Sequence, residues 1–307
     1  MTVKTFIFVS VISLAAVGPV FSCDLCAIYA AAQAQGQNGK GFFGGIAEQF
    51  THFGTLQQEG HEIPNEGQYI DGSMTQVFAG YNFNNRIGVQ LNVPLIYRAY
   101  GSDVMHDSTS GIGDLSLIGT FIAYEKLTER FNLTWTVLGG VKFPTGDSAL
   151  LNTPDSDLPE GIGGHDLALG SGSYDGLVGT GVFGRWKRFL FTANLQYGIR
   201  TEGDFQHQYA NDLVWVGGPG AYLALNHQFT LSLQAIVSGE TKGKDTFVGV
   251  PDEDSAETLV YLGPQFNFTW GSQLSAQLGL DLPVSRDNSG IQVVPDYRVR
   301  AAVNWRF

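Results

Sequence analysis

Strands of one length follow one another along almost the whole chain, joined alternately by short and long connections, and no motif in it constrains the fold as much. From residue 42 onward, segments of about 10–15 residues alternate in polarity, the mark of strands with one apolar and one wet face. The clearest are RIGVQLNVPLIYR (86–98), RFNLTWTVLGGVKF (130–143), RFLFTANLQYGIR (188–200) and HQFTLSLQAIV (227–237). TLVYLGPQFNFTW (258–270) and SQLSAQLGLDLPV (272–284) continue the pattern. Segments near 42–56, 69–83, 111–125, 171–186, 209–226 and 292–307 complete a set of twelve strands. No helical pattern intervenes, which argues against a parallel α/β sheet.

The connections sort by length. Asn84–Asn85, KLTER (126–130), Lys187–Arg188, Asn226–His227 and Gly271–Ser272 join even-numbered strands to odd ones. In the opposite sense the connections are long: 57–68, 99–110, 146–170, 201–209, 239–256 and 286–291. Short periplasmic turns, long external loops and an even strand number describe an outer-membrane barrel, whereas a soluble sandwich has no reason to sort its loops. The long segments hold most of the acidic residues and, as bases, only Lys242, Lys244 and Arg286. The expected fold is therefore all-β: an antiparallel transmembrane β-barrel of about twelve strands. Trp135, Trp215, Trp270 and Trp305 are expected in its interfacial girdles.

Both ends fit that compartment. Lys4, the apolar run FIFVSVISLAAVGPVF and the small residues before Cys23 read as a secretory signal peptide over 1–22, which places the chain in a Gram-negative cell envelope. Residues 23–41 then form a periplasmic or plugging segment, and 42–307 the barrel. The last stretch, DYRVRAAVNWRF (296–307), alternates strictly and ends on Phe307. It resembles the closing strand of bacterial outer-membrane barrels, which implies recognition by the barrel-assembly machinery through Phe307. Cys23 and Cys26 make a CxxC pair without a following His, so the c-type haem pattern is absent. A disulfide, a lipid anchor on Cys23 and contact with a metal or partner all stay open.

Alternation also assigns a lumen. The polar faces carry Gln90, Asn92 and Arg98 in strand three, Thr134, Thr136 and Lys142 in strand five, and Thr192, Asn194, Gln196 and Arg200 in strand seven. Farther on they carry Thr230, Ser232 and Gln234, then Gln265, Asn267 and Thr269, then Gln273, Ser275, Gln277 and Asp281, and finally Asp296, Arg298, Arg300 and Asn304. Arg98, Lys142, Arg200, Asp281, Arg298 and Arg300 are the candidate solute-contacting residues, since Arg binds carboxylates by two hydrogen bonds and stacks on rings. The plainer reading pairs the bases with Glu48, Asp114 and Asp281 to fill the lumen. Strands one, two, six and eight are too glycine-rich for their faces to be assigned. His61, His106, His165 and His207 fall in four different external loops without HxxxH spacing, so solvated histidines are expected rather than a metal site.

Three stretches carry a resemblance: GIGDLSLIG (111–119), GGVKFPTGD (139–147) and LGSGSYDGLVG (169–179). They resemble the outer-membrane proteins of the phenol-degradation meta-pathway family. The resemblance spans roughly residues 40 to 307 and implies a transporter-like barrel for aromatic or other small organic solutes.

The net charge of −12 repels nucleic acid. PDEDSAE (251–257) and PDSDLPE (154–160) suit cations or the divalent ions that bridge lipopolysaccharide. The expected function is porin-like: passive uptake of small solutes, aromatic or anionic, in contact with outer-membrane lipid and lipopolysaccharide. No enzyme and no cofactor are expected, and no GxSxG nucleophile motif occurs. The alternatives are a structural or partner-binding barrel with a metal or redox role for the CxxC pair and, less favoured, an outer-membrane hydrolase.

Overall fold

A computed structural model describes residues 40–226 and 228–307. The expected signal peptide, Cys23 and Cys26, and nearly all of the segment between the signal and the first strand lie outside the described residues. Twelve long strands follow in order: β1 (Gly41–Gln58), β2 (Tyr69–Asn82), β3 (Ile87–Gly101), β4 (Ser116–Leu127), β5 (Phe131–Lys142) and β6 (Asp175–Trp186). Then come β7 (Phe189–Ile199), β8 (Asp212–Leu225), β9 (Phe229–Lys242), β10 (Glu257–Trp270), β11 (Leu274–Asn288) and β12 (Ile291–Arg306). Each pairs antiparallel with its neighbours in sequence, and β12 pairs with β1 from Phe43↔Arg306 to Gln58↔Ile291. The sheet therefore closes, which pairs the first and last strands in a medium that offers no hydrogen bonds; between β11 and β12 the ladder runs only from Leu274↔Trp305 to Asp281↔Arg298.

Phe307 seals this closure, its N–H donating to the Phe42 carbonyl (3.0 Å). Around it, the periplasmic rim carries Phe42 against Tyr81 and Phe229 against Trp270, with ring centroids 4.7 and 6.4 Å apart. Trp270 and Trp305 lie at this rim. Trp135 instead stands on the outer wall, where its Nε1–H is satisfied by Thr180 Oγ1 (2.7 Å).

Four of the expected long connections are long. The other two are not. A strand over His106–Ile112 pairs with the end of β3, which leaves only residues 102–105 between them. β11 runs on to Asn288, and only Ser289 and Gly290 join it to β12. The polar run Ser285–Arg286–Asp287–Asn288 reads as loop, but β10 pairs with it to the end, through Glu257↔Asn288.

The glycine-rich strands now have faces. β1 turns Ala47, Gln49, Thr51 and Phe53 inward, and β2 turns Ile70, Met74, Gln76 and Phe78 inward; all eight are buried. Glu48, His52, Asp71, Ser73 and Thr75 consequently face outward. Glu48 does not fill the lumen: the hydroxyls of Ser73 and Thr75 donate to its two carboxylate oxygens on the outer wall. On these two strands the usual rule, polar in and apolar out, is reversed over the external half.

The interior explains the reversal. The connection 143–174 folds inward, through 3₁₀ turns at Ala149–Asn152 and Asp155–Asp157 and a one-turn helix α1 (Gly164–Leu167). Its Ile162 and Leu167 pack against Phe53, Leu56, Ile70, Tyr100 and Val293 of the wall, and its Leu169 against Met74 and Ile96. Burying each such side chain stabilises the inward position by about 2 kcal/mol. The loop's neck is narrow: a Cβ on Gly146 would meet the Leu169 carbonyl at 2.5 Å, so only glycine lets the two segments pass.

Candidate functional site

The lumen wall is a lattice of amides and hydroxyls, arranged as alternation along each strand requires. Gln90 donates to Asn92 (2.6 Å), and Asn92 to Ser116 (3.0 Å). Across the barrel Gln265 donates to Asn267 (2.8 Å), Asn267 to Gln234 (2.9 Å) and Gln234 to Thr192 (3.2 Å). These residues are all buried, so their hydrogen bonds to one another replace bonds to water.

The six charged candidates fall into three groups, each engaged with other parts of the protein. Lys142 sits between Asp114 (2.7 Å) and Asp175 (2.8 Å) and also bonds Ser171. Arg200 continues the chain from Asp175 (3.0 Å) to Asp212 (2.6 Å). Asp114 is further anchored by the N–H groups of Thr145 (3.1 Å) and Gly146 (2.9 Å), where the inward loop departs. This group ties β5, β6, β7 and β8 to the base of the loop.

A second group joins Asp281 to Arg298 (3.0 Å) and Arg300 (2.7 Å). Arg298 also donates to Ser238 (2.8 Å) and stacks over the Tyr261 ring at 4.1 Å; Arg300 donates to Gln265 (3.1 Å). Two guanidiniums share one carboxylate, so the group keeps a positive excess.

Arg98 forms the third. Its Nη1–H groups donate to the carbonyls of Asp166 and Ala168 (2.7 Å for Ala168). Arg98 is 2% exposed and holds the C-terminal end of α1 against β3, where a cation also complements the helix dipole. The expected pairing of bases with Asp114 and Asp281 is what the geometry shows, whereas Glu48 takes no part.

Sequence reasoning scattered the external histidines, yet two of them meet. His165 of α1 stacks on His207 at 6.3 Å, and Tyr209 donates to the His165 carbonyl (2.9 Å). Burial by itself would lower the His165 pKa; the charge and hydrogen bond of Asp166 outweigh it and raise the group to about 9. Burial lowers His207 below the ordinary value. The loop thus carries a charged His stacked on a neutral one from the connection between β7 and β8. Nothing in the spacing of residues 165 and 207 announces this, because they lie in different connections. Among the described residues, no three His, Cys, Asp or Glu side chains are grouped to hold a metal.

A sequence profile described as "Putative MetA-pathway of phenol degradation" matches residues 58–292, well over half of the chain. The chain belongs to this family. Among solved structures, the phenol-degradation barrel is similar to an outer membrane channel from Pseudomonas putida F1, with a TM-score of 0.63 at 14% identity, covering 88% of this chain and 96% of that one. The β domain of a Bordetella autotransporter matches at 9% identity with a TM-score of 0.48, covering 86% and 99%. The first of these likenesses shows the fold. No curated protein sequence matches the chain. A closed twelve-strand barrel with an apolar outer band and an aromatic periplasmic rim belongs in the Gram-negative outer membrane.

Proposed function

We propose that this phenol-degradation family barrel is a passive channel for small, uncharged organic solutes, aromatic compounds among them. The observation that carries the reading is the inward loop. It narrows the external half of the lumen with Ile162, Leu167 and Leu169. The charged lining residues are meanwhile engaged with one another or with the loop, and only the Asp281 group keeps a positive excess. A solute passing the loop meets a lumen narrowed by the loop's packing against the wall, and then the amide lattice. Transport of this kind needs a path and a constriction, not a catalytic group.

An anionic solute is the second reading, supported by the excess of Arg298 and Arg300 over Asp281. The partner-binding alternative turns on Cys23 and Cys26, outside the described residues.

Planar-bilayer recording tests the proposal. The folded wild type should show small discrete conductance steps that a neutral aromatic solute suppresses. Arg98→Ala should enlarge the steps, because α1 loses its anchor on β3. Silence from both proteins, each shown to be folded and inserted, would sink the channel reading. Suppression by aromatic acids alone would select the anionic one.

A further inference from the structure

Most amides of the lumen wall bond one another, but two do not complete their bonding. Gln76 on β2 is 0% exposed, yet among the described residues neither its Nε2 nor its Oε1 has a hydrogen-bond partner. The Oε1 of Gln277 on β11 is likewise buried without one. Buried polar atoms are nearly always paired, so an orphaned one calls for a cause.

For Gln76 the sequence supplies it. The residue stands opposite Ala47 on β1 and Pro94 on β3. On its own strand the neighbouring inward residues are Met74 and Phe78. None of these four side chains carries a nitrogen or an oxygen.

The two glutamines share one row of the wall. The ladder runs from Gln76↔Ala47 through Ala47↔Ala302 to Ala302↔Gln277, so both face inward from β2 and β11. Three ladder steps of about 4.8 Å separate their backbones, along a quarter of the barrel's circumference, where inward side chains converge. Between them the wall presents only the methyl groups of Ala47 and Ala302. On the periplasmic side, Phe78 packs on Ala47, with Phe43 against the pair. On the external side, Gln49 and Arg300 form the next inward row.

This slot lies just below the inward loop. Leu169 of the loop packs on Met74, and Gln76 is the next inward residue on β2 toward the periplasm.

The orphaned atoms define a ligand. Two carbonyl oxygens and one NH2 group require two donors and one acceptor in return. A hydroxyl offers one donor, and a ketone, an ester or a carboxylate offers none. A primary carboxamide has two N–H donors and a carbonyl, without charge. Its carbonyl accepts from Gln76 Nε2, one N–H donates to Gln76 Oε1, and the other donates to Gln277 Oε1. The alanine methyls and the Phe78 ring suit an apolar or aromatic body behind that group.

We propose that Gln76 and Gln277 form a recognition slot for small primary carboxamides with an apolar body. A solute enters it from the side of β11, where Gln277 is only half-buried. The proposal rests on the channel reading and names a solute class within it.

Planar-bilayer recording tests the slot with benzamide and acetophenone, which differ by an NH2 group in place of a methyl. Benzamide should suppress the conductance steps of the wild type at a roughly tenfold lower concentration, as expected for the added hydrogen bonds. Gln76→Met, unbranched and of similar length, should abolish that preference, and Gln277→Met should reduce it. Gln90→Leu removes an amide already bonded to Asn92 and should keep it. Heat-modifiable gel mobility checks that each variant is folded; if Gln76→Met is not, the wild-type comparison and Gln277→Met still decide. Equal suppression by the two probes in the wild type, or none by either, overturns the slot and leaves the channel standing. A preference that survives in folded Gln76→Met does the same. Absence of any conductance from folded, inserted wild type overturns the channel reading and the slot with it.

Discussion

Asp281 is the residue on which the lumen's second charge group depends. Two guanidiniums close on its carboxylate, and both are buried. Removing one member of a buried ion pair costs about 3–5 kcal/mol, because the remaining charge loses its partner. Asp281→Asn should therefore lower the stability of the folded barrel by that order in urea titrations in lipid vesicles. The same variant should shift the reversal potential toward anions; an unchanged potential would place Arg298 and Arg300 away from the permeating path. The pairing was legible in sequence because Asp281, Arg298 and Arg300 sit on strictly alternating strands, where parity fixes the face. Glu48 was not legible. Its neighbours in GGIAEQF give no clean period, and its place on the outer wall follows from Ala47 and Gln49 turning inward.

Among elements, the inward loop decides how the interior is built, and sequence could not show it. Its residues look like any polar external connection, yet Ile162, Leu167 and Leu169 supply an apolar surface inside the barrel. That surface makes Ile70 and Met74 face inward, against the rule by which strand polarity is read. The strands and their order, by contrast, were readable because period-two alternation survives wherever the wall separates lipid from amides. His165 provides a handle on the loop. Its folded pKa of about 9 lies above the ordinary 6.5, so the protonated form is favoured by folding. The stabilisation is complete below about 6.5 and is lost as pH rises through about 9. Single-channel conductance should therefore increase as pH passes 9. His165→Gln should show the larger conductance already at neutral pH and no step near 9. A flat wild-type profile across that range would remove His165 as a strut of the loop.

At the scale of the whole molecule, the barrel is closed by the pairing of its first strand with its last. Gly45 stands at that seam: a Cβ there would meet the Val303 carbonyl at 2.3 Å and the Phe78 ring at 2.6 Å. Overpacking of a fitted site costs about 1–3 kcal/mol, and more where backbone is struck. Gly45→Val should leave less of the barrel in the compact, fast-migrating form on unheated gels; full recovery of that form would show that β1 and β12 can spread to admit the side chain.

The reversed polarity of β1 and β2 carries a consequence for how the protein sits among lipids. On β7 the outer wall stays apolar from Phe189 through Phe191, Leu195 and Tyr197 to Ile199. On β1 the run of apolar side chains is interrupted after Ile46 by Glu48, and the facing stretch of β2 carries Thr75, Ser73 and Asp71. The greasy belt is therefore taller on one flank than on the other. A bilayer of even thickness matches such a belt when the cylinder leans, raising the short flank's polar groups toward the headgroups. The barrel axis should stand off the membrane normal, with the flank of β1 and β2 marking the direction of the tilt.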